Sequence, residues 1–214
     1  MQRRRGVQLS TRADEAVASS HTTHRKSRKL IACVSTNDVW AAGESTTGGE
    51  EHNLIEHRDG TAWSVIPSPP FPNTNVDFMQ SISAISATDI WAVGAFTIPN
   101  PEGSPLQTAT LHWDGTNWTI VPSPSASTNF DVLNGVAAIS SDDVSAVGGY
   151  TTTAGPLNPL IEHWDGVSWT VFPSPTGQPD SELTAVAAVS STDVWSAGGQ
   201  ANFSQTLIEH FTCQ

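Results

Sequence analysis

The sequence predicts an all-β chain: a β-propeller of four-stranded antiparallel blades, about four repeats with the last incomplete. Two recurring stretches point to it. The first reads STNDVWAAG at 35–43, SATDIWAVG at 86–94, SSDDVSAVG at 140–148 and SSTDVWSAG at 190–198. The second follows as IEHRDGTAWSVIPSP at 55–69, TLHWDGTNWTIVPSP at 110–124 and IEHWDGVSWTVFPSP at 161–175, and begins again as IEHFTCQ at 208–214. The aspartates of the first stretch, Asp38, Asp89, Asp143 and Asp193, are 51, 54 and 50 residues apart. A period near fifty residues belongs to propeller blades and arrays. A third observation is strand chemistry: short runs of β-branched and aromatic residues, bounded by Asp, Gly, Ser and Pro. Outside the N-terminal segment no stretch has helical periodicity.

Taken in order, residues 1–30 carry no repeat and hold eight of the nine Lys and Arg. They read as a basic, disordered leader. Arg3-Arg4-Arg5 resembles the start of a signal peptide, but no apolar segment follows and no signal peptide is assigned. Blades are expected at about 31–69, 81–124, 135–175 and 184–214, the last cut off in its third strand. Within blade 2, Ile82 to Ser86 is the first strand, Ile90 to Phe96 the second, Ala109 to Trp113 the third and Trp118 to Val121 the fourth. The joining segments 70–80, 125–134 and 176–183 are rich in Pro, Ser, Asn and Asp and read as loops. An incomplete last blade leaves open edges, so self-association through them is an expected interaction. A truncated propeller is the preferred reading and a four-bladed ring the alternative.

Charge divides the chain. Residues 31–214 hold one arginine, Arg58, against 19 carboxylates, a net of −18. Such a surface repels nucleic acid and anionic membrane, so neither is expected as a partner of the repeat region. No segment is long and apolar enough to span a membrane as a helix. Cys33 and Cys213 fall at an inner strand and an outer turn, too far apart in a blade for a disulfide.

All eight tryptophans fall in the repeats. They are expected to pack between blades, with ring nitrogens finding partners at sheet edges. Ser145 replaces the second-strand tryptophan in repeat 3, and Arg58 the third-strand tryptophan in repeat 1. Both aspartate sets read as turn formers: Asp38, Asp89, Asp143 and Asp193 between strands, and Asp59-Gly60, Asp114-Gly115 and Asp165-Gly166 in tight hairpins. His57, His112, His163 and His210 recur once per blade on an outer strand. They are expected to be separated around the disc and to serve packing or hydrogen bonding rather than zinc.

The pattern D-[VI]-W-A-x-G followed by H-W-D-G-x-x-W-x-x-x-P-S-P resembles bacterial tandem-repeat propellers. It is similar to Asp-box (BNR) and kelch-type blades, in which an Asp-Gly turn joins two strands just before a tryptophan. The resemblance implies the fold and a secreted or cell-surface setting. It implies no single function, since such blades serve sialidases, glycosidases and binding scaffolds alike.

Strand alternation puts the repeated turns at one end of each blade and the variable loops 45–53, 97–107 and 151–159 at the other, with the Pro-rich joins. Variable loops on a regular scaffold are where recognition sits. Phe71, Phe96, Phe130, Tyr150 and Phe203 lie in or beside them and are the candidate ligand face. No catalytic residue, metal ligand or cofactor is assigned. A sialidase-type site needs several arginines, and Arg58 stands alone at the other end. Loop acids Glu44, Glu50, Glu51, Glu102, Asp131 and Glu182 leave a glycosidase pair open. The expected function is therefore a non-enzymatic scaffold binding a protein or glycan. The alternatives are part of a glycan-active hydrolase or lyase, or a repeat fragment without independent function.

Overall fold

The computed structural model describes residues 25–212, apart from 75, 100–102, 153–154, 175–179 and 201–203. Among the described residues every regular element is a strand. Each repeat folds into one antiparallel unit. The first comprises β1 (Arg25–Ser35), β2 (Asp38–Thr47), β3 (Glu50–Arg58) and β4 (Trp63–Val65). The second comprises β5 (Asp77–Ser86), β6 (Asp89–Thr97), β7 (Leu106–Trp113) and β8 (Trp118–Ile120). The third comprises β9 (Phe130–Ser140), β10 (Asp143–Thr151), β11 (Leu157–Trp164) and β12 (Trp169–Phe172). The fourth holds β13 (Ser181–Ser190), β14 (Asp193–Gln200) and β15 (Gln205–Phe211).

β1 begins at Arg25, inside the basic segment, and pairs with β2 as far out as Thr46. Residues 1–24, the rest of the leader, lie outside the described residues. The first and last units are separate sheets, whereas units two and three join through one parallel pairing, Leu106 with Phe130.

The first strand of every unit carries two register shifts, such as those between Met79 and Ser81 and between Ala84 and Ser86 in β5. The glycine ending D-x-W-A-x-G explains the upper one. A Cβ on Gly94 would stand 2.0 Å from the carbonyl oxygen of Phe78, and one on Gly148 1.8 Å from that of Val132. Only a residue without a side chain lets the bulged strand approach so closely.

The core lies between units. Side chains of β2 and β3 meet those of β5 to β8 around Trp40, Ile55, Ile82, Ile90 and Leu111. The pattern repeats around Trp91, Leu133, Val144 and Trp169, and again around Ile161, Leu183, Val194 and Leu207. Tryptophans form the ladder. Trp40 packs on Trp113 and Trp118 of the next unit at 5.1 and 5.8 Å. Trp91 packs on Trp164 and Trp169 at 5.1 and 5.4 Å. These offset and edge-on geometries suit ring quadrupoles.

A second tie crosses the units. The serine of P-S-P reaches the third strand of the following unit: Ser174 donates to Glu209 at 2.6 Å, and Ser123 lies against Glu162.

Candidate active site

The repeated aspartates and histidines form a pair in every unit. His57 Nε2 lies 2.8 Å from Asp38, His112 2.9 Å from Asp89, His163 2.9 Å from Asp143 and His210 3.0 Å from Asp193. Register produces this, because Trp40 stands opposite His57 across β2 and β3 and Asp38 is two residues back on the same face. Trp40 then stacks on His57 at 4.3 Å and donates its indole N–H to Asp38 at 2.9 Å. In the third unit Ser145 leaves the stacking position vacant of a ring, and Phe172 meets His163 edge-on at 5.7 Å. These aspartates thus hold imidazoles, where the sequence suggested turns. The Asp-Gly aspartates do form turns. Asp59 Oδ1 accepts from the backbone N–H of Thr61 and Ala62 at 2.8 and 3.0 Å, and Asp114 and Asp165 repeat the geometry. Hydrogen bonding to the charged form holds all three carboxyls below the usual range.

The candidate aromatic face is drawn largely into the core. Phe71 is buried and stacks on Phe96 at 4.7 Å, and both belong to the first core cluster. Tyr150 packs against the second cluster. Phe130 is half-buried, held at the start of β9 by its pairings with Thr151 and Leu106. Phe203 lies outside the described residues. Among the loop acids, Asp131 is buried, accepts from the Ser127 hydroxyl at 2.6 Å, and is pushed up by desolvation. Glu162, buried beside it, is held well above the ordinary carboxylate range, first by burial and then by the Asp131 charge. Glu102 lies outside the described residues.

A different cluster forms at the variable-loop end, where the 45–53 turn meets the join after β4. Asp77 opens β5, its side chain 2 % exposed. Its backbone is fixed on both sides, by the Asp77–Phe96 pairing and by a bridge from Val76 to Glu51. Asp77 accepts three bonds from β3: from His52 Nδ1 at 3.2 Å, from the Asn53 backbone N–H at 3.3 Å, and from the Asn53 amide. Ser68, the first P-S-P serine, donates in turn to the Asn53 side-chain carbonyl. The second unit has Leu111 where Glu162 and Glu209 stand in later units, so this serine has no glutamate to reach.

These polar groups line a cleft of ≈ 240 Å³ whose apolar wall is Ile55, Ile66 and Pro67. That volume is below the usual range of ligand clefts, which makes it a subsite rather than a groove for a long chain. As a carboxylate Asp77 can only accept, so Nδ1 of His52 carries the proton and Nε2 keeps its lone pair. The imidazole is half-exposed, and Glu50 lies 3.5 Å from Nε2. A base oriented by a buried carboxylate can take a proton from a bound substrate. Sequence reading missed His52, Asp77 and Ser68. The available signal was that Asp77 and Asp131 hold the same register, opposite Phe96 and Tyr150.

No family model matches the chain and no curated protein matches it. A solved structure does: a polysaccharide lyase of family PL25, an ulvan lyase bound to -[GlcA(1-4)Rha3S]-. The match has a TM-score of 0.56 at 9% identity and covers 91% of this chain and 53% of that one. The chain thus spans about half the length of the structure it resembles. This corrects the expectation of a non-enzymatic scaffold: the all-β fold found here is one that serves an enzyme acting on a glycan.

Proposed function

We propose that the chain is part of a polysaccharide lyase built on a β-propeller, with His52 as the general base and Asp77 as the residue that positions it. The observation that carries this reading is the His52–Asp77 pair in an open cleft, on a fold shared with a polysaccharide lyase. The four antiparallel units are its blades, similar to Asp-box and kelch-type blades.

The substrate class is a uronate-containing polysaccharide, because elimination needs an acidic proton α to a carboxylate. His52 Nε2 takes that proton. The electron pair left on carbon forms the new C=C bond, and the glycosidic C–O bond at the β-carbon breaks. The departing oxygen takes a proton from solvent. Glu50 stands where it stabilises the imidazolium formed in the first step. Hydrolysis would call instead for two carboxylates flanking the scissile bond. Asp77 does not suit that role, since its oxygens are occupied by His52 and Asn53.

The test is product identity. The full chain, incubated with a panel of uronate polysaccharides, should release oligosaccharides with an unsaturated uronate at the new non-reducing end, seen as ultraviolet absorbance and by mass spectrometry. Saturated ends on both fragments would make it a hydrolase, and an unchanged panel would remove the enzymatic reading. The net charge of −12 repels a polyanion, so the rate should rise with added salt in the low-salt range.

A further inference from the structure

His52 stands between two carboxylates. Asp77 lies 3.2 Å from Nδ1 and Glu50 3.5 Å from Nε2. A neutral imidazole carries one proton, and the carboxylate that holds it decides the tautomer. Only the Nδ1–H form leaves Nε2 a lone pair with which to take a proton. Burial favours Asp77: its side chain is 2% exposed against 57% for Glu50, so water screens the Glu50 contact. Yet a carboxylate turns easily about its last torsion. Asp77 wins the proton only if something keeps Oδ1 on the ring.

We propose that Ser68 and Asn53 are positioning residues that fix Asp77 and thereby set the tautomer of His52. Asn53 holds Oδ2 of Asp77 with two donors, its backbone N–H at 3.3 Å and its side-chain amide. That leaves Oδ1 for the ring. Ser68 in turn donates to the Asn53 side-chain carbonyl, which keeps the amide N–H toward Asp77. The donors run one way, from hydroxyl through amide to carboxylate, and bonds in such a chain polarise one another. The part these two residues play in catalysis rests on the reading of His52 as the base.

The repeat shows what is particular to this junction. At the later two the P-S-P serine reaches a glutamate of the next unit. Ser174 donates to Glu209 at 2.6 Å, and Ser123 lies against Glu162 while bonding Thr108 at 2.7 Å. The position of Asn53 is held there by Thr108 and Pro159, neither of which carries an amide. Between units one and two, Leu111 replaces the glutamate and an amide stands within reach of the serine. The Ser68 hydroxyl is thereby left to Asn53. Asp131, at the register position of Asp77, takes its hydroxyl bond from Ser127 instead, at 2.6 Å.

The test reads the nitrogen-15 spectrum of the neutral His52 ring in the full chain without substrate, with the signal identified by its absence in His52→Ala. The parent should show the Nδ1–H form. Ser68→Ala and Asn53→Ala should each turn most of the signal to the Nε2–H form, toward Glu50. Ser68→Thr keeps the hydroxyl and should match the parent. Ser123→Ala, the same change one junction on, should leave His52 as it is. On a cleaved uronate polysaccharide, Ser68→Ala should lower kcat about tenfold with KM unchanged. Adding it to Asn53→Ala should cost nothing further, because the serine acts through the amide. A parent ring protonated on Nε2, or an unchanged tautomer in Ser68→Ala, overturns the proposal. So does an equal effect of Ser123→Ala, which would mean general loosening. A raised KM with kcat intact would make Ser68 a substrate contact and overturns it too. The spectrum needs no turnover: an uncut panel with the expected tautomers would remove the lyase reading and leave the positioning of His52 standing.

Discussion

At the scale of single residues, the Asp–His–Trp arrangement makes the repeat cohere. Four carboxylates each hold one imidazole, and in three units an indole stacks on it. The pairs are partly exposed, with side chains 28% and 17% accessible for His112 and Asp89, so screening limits each to a modest contribution. Replacing His112 with Ala and Asp89 with Asn, singly and together, should give a coupling energy of about 0.5–1 kcal/mol in urea unfolding. A coupling near zero would mean the pair is incidental to stability. The one-per-repeat recurrence of these residues was legible in the sequence. Their pairing was not, since it follows from a cross-strand register the sequence does not state. The same holds for His52 and Asp77, which lie 25 residues apart in variable segments and meet only because Val76 bridges to Glu51.

At the scale of elements, strand boundaries followed closely from alternation and turn chemistry. For the second unit the sequence predicts strands at 82–86, 90–96, 109–113 and 118–121, and the structure has them at Asp77–Ser86, Asp89–Thr97, Leu106–Trp113 and Trp118–Ile120. The strands run further toward the variable end because the Asp77–Phe96, Phe96–Gln107 and Thr97–Leu106 pairings continue the ladder there. The bulges were not legible: period two breaks locally there, and only the unvarying glycine hinted at it. Gly94→Ala should therefore destabilise by about 2 kcal/mol or more, since its Cβ would collide with backbone. Gly49→Ala, at φ 94° with nothing near its Cβ, should cost only about 1 kcal/mol of backbone strain. Equal melting temperatures for the two variants would contradict this account of the bulge.

At the scale of the molecule, stability depends on contacts between units and on the turns within them, and carboxylates in the two places respond to pH in opposite senses. Asp59, Asp114 and Asp165 are held below their usual range. They add stability that is lost as pH falls below about 4. Glu162 and Asp131 are raised by burial. The folded state keeps their protons longer than the unfolded chain, so stability falls as pH climbs from the ordinary carboxylate range toward their folded values. Melting temperature should peak on the acid side of neutral, and Glu162→Gln should remove much of the decline above that peak. A flat profile in the variant and the parent alike would show that these acids do not set it. The all-β architecture, the units and their order were legible from repetition alone. The function was not, because the cleft is built from the parts of each repeat that vary.

The measurement that bears most directly on the central claim compares initial elimination rates of the parent chain and His52→Ala on a cleaved uronate polysaccharide. His52 is half-exposed, so the variant should fold and melt like the parent. Its turnover should fall by about 10²–10⁴-fold, the usual contribution of a positioned base. Asp77→Asn should fall less and, unlike His52→Ala, retain a pH-dependent rate. Full activity in a folded His52→Ala chain would contradict the assignment and move the chemistry out of this cleft.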